Sequence, residues 1–349
     1  MHDPAQHAIR LILDSQWTQL LDAGREWNLA DPNGVIPHLI ITTSLLFQGN
    51  YREAYVHHNL LFSEAEDEAA QQYDTRHVLK AFADTIVREN PENAAAYLFL
   101  GITLTQIGEL DSAIQMYKET IRLAPEDPFA HYFQGQAQQA KERLDLAIGE
   151  YREAVRLCPH NVTMRLNLGS AYHLQGNLES AILQFREAIK LNPAEALAHY
   201  NLGLALAEQG RVEPAISAYK EAARLNPSDA VVRYAIGALL EMKGRLPQAI
   251  IEFQAATQIA PNFAEAYSSL GWLYFKQHKI LEAAEALEHA VRSDEEDSHA
   301  LHGLGLAKLA QGKTEDAISY LKRAYQHEER PDKKIEIRGA LVRMGAISH

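Results

Sequence analysis

Prolines stand at Pro91, Pro125, Pro159, Pro193, Pro227 and Pro261, each 34 residues after the last. Glycines keep the same step at Gly101, Gly135, Gly169, Gly203, Gly237, Gly271 and Gly305. Alanines do so at Ala113, Ala147, Ala181, Ala215, Ala249, Ala283 and Ala317, each followed four residues later by Tyr, Phe or Leu. Three series holding one period leave few folds open. Each unit must be a small supersecondary element that cannot bury its apolar face alone, so successive units stack into a continuous core.

The segment Tyr200–Pro227 shows what one unit is. Leu202, Gly203 and Leu206 form one stripe at helical spacing, and Ala215, Tyr219 and Ala222 form another at i, i+4 and i+7. Gly210 lies between them as a turn. Pro214 sits in the first turn of the second helix, where its missing N–H is tolerated, and Pro227 ends that helix. A mid-helix glycine costs about 1 kcal/mol relative to alanine, so the glycine series costs on the order of 7 kcal/mol. That is comparable to the ~5–15 kcal/mol net stability of a whole domain. Close approach of the paired helix offsets it, and the alanine series answers from the other side.

With a small residue inside the first helix, Ala and an aromatic in the second and a closing Pro, the unit resembles the tetratricopeptide repeat. The resemblance covers seven units over about residues 94–331. It implies an all-α fold, a right-handed solenoid of stacked antiparallel helix pairs, with the first helix of each pair lining a concave groove. The family's groove positions fall on Phe99, Phe129, Tyr132, Phe133, Gln136, Gln139, Asn167, His173, Tyr200, Asn201, Tyr234, Trp272 and Phe275. Charges there are few: Glu208, Glu241 and Lys276. Such a face suits a peptide or helix held by apolar burial and amide hydrogen bonds. Asn167 and Asn201 repeat one position in successive units, which in relatives bonds a bound segment's backbone. Trp272 and Phe275, three apart on one face, are the expected anchor. The Lys and Asn set by which chaperone-binding relatives clamp a terminal carboxylate is absent from these positions.

Departures from the pattern are expected to mark structure or function. Gln134 and Gln138 occupy apolar positions, with their amides expected to find backbone partners. Glu142 and His278 replace the turn glycine, Lys308 takes an apolar position, and Glu295 stands where a proline belongs. Residues 1–90 lose the phase and read as one or two degenerate units plus a long extra helix. Ser44, Gly49 and Ala54 would take the glycine, turn and alanine roles of one such unit. Residues 91–331 carry the array, and 332–349 read as a polar capping helix.

Composition bounds what the array can do. The net charge is −13, and the first 90 residues hold 13 acids against 6 bases, which disfavours nucleic acid and anionic membranes as partners. The single Cys158 excludes an internal disulfide and fits the cytoplasm. Val35–Phe47 is too short to span a bilayer. His299 and His302 share a helix face without a third ligand, so no metal site is expected and no cofactor is implied. No catalytic residues suggest themselves. The reading is a non-enzymatic scaffold or adaptor binding a partner protein in the groove. A regulatory or substrate-recruiting subunit of an enzyme is the alternative, and self-association through the N-terminal helices a further one.

Overall fold

The computed structural model describes residues 4–30, 35–47 and 68–347. Among these there are nineteen helices and no strand. The fold is an all-α tetratricopeptide solenoid, and it divides into two compact units, Met1–Pro193 and Ala194–His349. Gly49 and Ala54 lie outside the described residues.

In the first unit, α1 (Pro4–Leu13), α2 (Trp17–Ala30), α3 (Val35–Phe47) and α4 (Glu68–Glu89) precede three regular pairs. These are α5 (Ala94–Gln106) with α6 (Leu110–Leu123), α7 (Pro128–Ala140) with α8 (Leu144–Leu157), and α9 (Val162–Leu174) with α10 (Leu178–Leu191). With 22 residues, α4 is longer than the helices of the regular pairs. In the second unit four pairs follow: α11 (Ala196–Glu208) with α12 (Val212–Leu225), α13 (Ala230–Met242) with α14 (Leu246–Ile259), α15 (Ala264–Lys276) with α16 (Ile280–Ser293), and α17 (Ser298–Ala310) with α18 (Thr314–His327). A last helix, α19 (Pro331–Arg343), packs on α18. Within each unit, every second helix also packs on the first helix of the following pair.

Each first helix ends the same way. Gly108, Gly176, Gly210, Gly244 and Gly312 adopt φ between +71° and +85°, so the chain reverses in the left-handed region. The next residue's N–H reaches back to close the turn, as in Glu109 N–H to Leu104 O at 2.8 Å and Arg211 N–H to Leu206 O at 2.8 Å. Glu142 and His278 keep this conformation at φ 59° and 60°, so the turn survives loss of its glycine. Asn93, Asp127, Asn161, Asp229 and Asp297 start the first helices by accepting backbone N–H bonds.

The mid-helix glycines meet a side chain. A Cβ on Gly203 would lie 2.6 Å from Tyr219 Cδ1, and one on Gly101 2.5 Å from Tyr117 Cε1. Gly135, Gly169 and Gly237 face Tyr151, Phe185 and Phe253 in the same way. At Gly271 and Gly305 the partner is leucine, and there the alanine's carbonyl also closes in, at 3.2 and 3.3 Å. The glycine is thus a socket for the ring sixteen residues on, and the fully buried alanine lets the two helices approach closely enough to seat it.

Polar residues at apolar positions are tied between helices. Lys308 is only 8% exposed, and its ammonium pairs with Glu288 on the preceding α16. Gln254 Nε2 donates to Tyr274 Oη at 2.7 Å in the same register one repeat earlier. Gln134 Nε2 donates to Glu150 Oε1 at 3.0 Å, a side chain and not the backbone expected for it. The Oε1 atoms of Gln134 and Gln138 accept no bond from the protein. His131 Nδ1 lies 2.7 Å from the other Glu150 oxygen. Burial opposes a charge on His131, but the hydrogen bond and charge of Glu150 raise its pKa above the ordinary value. The buried Glu328 is held at about pKa 2, chiefly by the Arg330 side chain, with Ser298 and the Arg330 backbone N–H bonding it too.

Candidate partner-binding face

Thirteen side chains were expected on the face formed by the first helices, and the structure sorts them. Phe99, Tyr132 and Phe133 do not belong to a surface. Phe99 is fully buried under α4, edge-on to Phe82 at 6.1 Å. The irregular N-terminal helices cover the face that an unobstructed first pair would present. Phe133 stacks on Tyr117 at 6.2 Å, and Tyr132 is enclosed between Phe133 and Tyr151. Three rings that the repeat phase places in the groove are therefore core.

The amides of the first unit are engaged within the protein. Asn167 Nδ2 donates to Tyr132 Oη at 2.7 Å, and Gln136 Nε2 donates to the same oxygen at 2.9 Å. Gln139 Oε1 accepts from Tyr151 Oη at 3.0 Å. A buried ring thus holds its hydroxyl out to amides of two successive pairs and fixes them. Phe129 and His173 are half-buried.

In the second unit Tyr200, Asn201, Tyr234, Trp272 and Phe275 all remain partly exposed. Tyr234 packs against Phe253 and Phe263. Trp272 is edge-on to Phe275, as their spacing suggests, but it also stacks on His299 at 5.0 Å. Its Nε1–H donates to His299 O at 3.1 Å, and His302 meets it edge-on. A Cβ on Gly303 would lie 2.9 Å from Trp272 Cε2, so that glycine admits the indole. Trp272 therefore joins two pairs. Burial lowers the His302 pKa, which keeps the imidazole against the indole neutral. Lys276 Nζ donates to Glu241 Oε1 at 2.9 Å, so two of the few charges expected on this face satisfy each other.

One open cleft of about 490 Å³ is formed within the second unit. Glu195, Ala196, Leu197 and Tyr200 supply one wall from the start of α11, and Asp229, Val231 and Val232 the other from the start of α13. Ala222 and Asn226, at the end of α12, lie between them. Leu197 and Val231 are 51% and 50% exposed. They occupy one repeat position, 34 residues apart and in phase with Phe129. That phase was the signal that could have found them. Tyr200 packs its ring on Tyr219 at 5.6 Å. Burial, then the charge of Asp229, raises the Tyr200 pKa, so its hydroxyl stays a donor at the edge of the cleft. No three His, Cys, Asp or Glu side chains among the described residues converge to hold a metal ion.

A family model described as the Cilia and flagella-associated protein 70 C-terminal domain, a tetratricopeptide family, matches residues 61–304, more than half the chain. The chain belongs to this tetratricopeptide family. A solved tetratricopeptide repeat protein from Parabacteroides merdae is similar at a TM-score of 0.52 and 22% identity, over 70% of this chain and 96% of that one. A chain of the APC/C hetero-tetramer Cut9–Hcn1 also gives 0.52, at 17% identity, covering 83% of this chain and 52% of its own length. YrrB, described as a tetratricopeptide protein with an unusual peptide-binding site, gives 0.48 at 23% identity, over 53% and 95%. A comparison with curated proteins gave no significant match. No helix among the described residues is long and apolar enough to cross a membrane. The tetratricopeptide pairs account for residues 94–327 of the chain.

Proposed function

We propose that this tetratricopeptide protein is a non-enzymatic scaffold that holds a segment of a partner protein against the first helices of its pairs. The observation that carries this reading is the cleft between α11 and α13, where two large aliphatic side chains stand half-exposed beside the Tyr200 ring. Paired exposed aliphatics at equivalent positions of adjacent repeats are not needed for stacking, because Ala198, Ala205 and Leu206 already fill the core side of α11. Phe129, Gln136, Gln139, Asn167 and His173 extend the same reading to the first unit, and Asn201, Tyr234, Trp272 and Phe275 to the second. The amide network and the Trp272 contacts hold these groups in place beforehand, which lowers the ordering cost of binding. The scaffold works in the cytoplasm, where Cys158 stays reduced.

Site-specific photocrosslinking tests the assignment. A photoreactive residue at Asn201 or Phe275, on first helices, is expected to capture partner protein in native extract. The same group at Ile251, exposed on the second helix α14, is expected to capture none. Capture from Ile251 alone would move the binding surface to the other face. The double variant Asn201→Ala, Trp272→Ala is expected to weaken capture with its helical signal retained.

A further inference from the structure

The cleft between α11 and α13 carries acidic groups, Glu195 and Asp229, as well as apolar surface. Asp229 Oδ1 accepts the N–H groups of Val231 at 3.0 Å and Val232 at 3.2 Å, which fixes the carboxylate at the mouth of the cleft. No Lys, Arg or His lines the cleft. Asp229 makes no ion pair with any described residue, and the nearest cation on its own helix, Arg233, is committed to Glu252 at 3.0 Å. Beside this carboxylate stand the Leu197 and Val231 side chains, with buried Ala222 and Val232 behind them. At the same repeat position the other pairs carry Ala95, Phe129, Thr163, Glu265 and His299, so an aliphatic pair occurs here and in no other successive repeats.

An anionic group brought to this mouth would meet a fixed carboxylate on a chain of net charge −13. A cation would meet an acceptor held in place by two backbone bonds. Apolar burial alone discriminates weakly among side chains, whereas a charge of the wrong sign is rejected. We infer that the cleft takes a peptide segment in which a large aliphatic or aromatic side chain is adjacent to Lys or Arg. The apolar group enters between Leu197 and Val231, and the cation meets Asp229. This rests on the scaffold reading above and adds its ligand chemistry.

Short random peptides displayed on phage and selected on the full chain provide the probe. Enriched sequences are expected to place Lys or Arg within two residues of Leu, Ile, Met or Phe. The tightest of them, made synthetically, is expected to bind Leu197→Asp or Val231→Asp about tenfold more weakly. Asp229→Asn keeps a good helix cap, so the fold is retained while the charge is lost. It should cost about fivefold, as for an exposed ion pair. Replacing the peptide's cation by Gln should cost the same factor on the parent chain and nothing further on Asp229→Asn. Failure to enrich any peptide, absence of a basic bias, or indifference to Asp229→Asn overturns the inference. Peptides that ignore Leu197 and Val231 but need Asn201 or Trp272 overturn it while leaving the scaffold reading intact. Peptides indifferent to every first-helix substitution but sensitive to Ile251→Asp overturn both.

Discussion

At the scale of single residues, the glycine series makes the sharpest claim about energy. A methyl group on Gly203 would sit 2.6–2.7 Å from the edge of the Tyr219 ring, so Gly203→Ala cannot be accepted without moving that ring. Overpacking of this kind costs about 1–3 kcal/mol, against a helix-propensity gain of about 1 kcal/mol. Gly203→Ala is therefore expected to lower the urea midpoint in the parent chain. In a Tyr219→Ala background the ring is gone and only the propensity gain remains, so the same substitution should raise the midpoint. A loss of equal size in both backgrounds would refute the socket. Close approach was legible in the sequence, and so were the alanines and rings of the second helix. A one-dimensional period cannot say which of those two series fills the space above the glycine. The ring does so directly where it is aromatic, and the alanine backbone shares the contact where it is leucine.

Between elements, the readable pattern is the one inside each repeat, and the unreadable part is the register from one repeat to the next. Lys308 stands where other pairs have Leu104, Leu206 and Leu240, and its partner Glu288 lies on the helix before. The Gln254–Tyr274 bond uses the same offset, yet no common residue type marks it. Likewise, Phe99 was assigned to a surface because nothing in residues 1–90, where the phase is lost, shows that α4 packs over it. The helix pairs, their turns and their order were legible because each is written seven times. The cleft is half legible: Tyr200 falls at one of the family's groove positions, and Leu197 and Val231 keep the phase of Phe129. In this pair the ammonium is enclosed while the carboxylate is 41% exposed, so removing Glu288 leaves the ammonium without its partner, whereas Lys308→Leu restores the leucine that three other repeats carry. Glu288→Ala is expected to destabilise by about 1–3 kcal/mol. Lys308→Leu is expected to be neutral or stabilising, since it removes the cost of enclosing an ammonium and leaves the exposed Glu288 carboxylate to solvent. Thermal melts of the two variants decide this. Lys308→Leu melting as low as Glu288→Ala would mean that the pair stabilises the stack in its own right.

For the whole molecule, nearest-neighbour stacking puts the weak points at the ends. The last pair among the described residues, α17 with α18, is covered by the single helix α19. Its Leu301, Leu304 and Leu321 share one cluster with Ile337, Ala340 and Leu341 of α19. Glu328 adds a polar latch at the same place, bonded to Ser298 at the start of α17 and to Arg330 just before α19. Ending the chain after Glu329 would uncover that cluster and leave Glu328 without its guanidinium. Each large aliphatic side chain so exposed forgoes about 1.5–3 kcal/mol of burial. In a stack whose repeats are coupled only to their neighbours, this loss must spread inward from the end and weaken with distance. Hydrogen exchange measured by mass spectrometry is expected to show protection lost in α18 and α17, reduced in α16, and close to the parent chain by α13. A uniform fall across Ala194–His349 would instead mean that the second unit unfolds as one cooperative block. Unchanged protection in α17 and α18 would remove the capping role from α19 altogether.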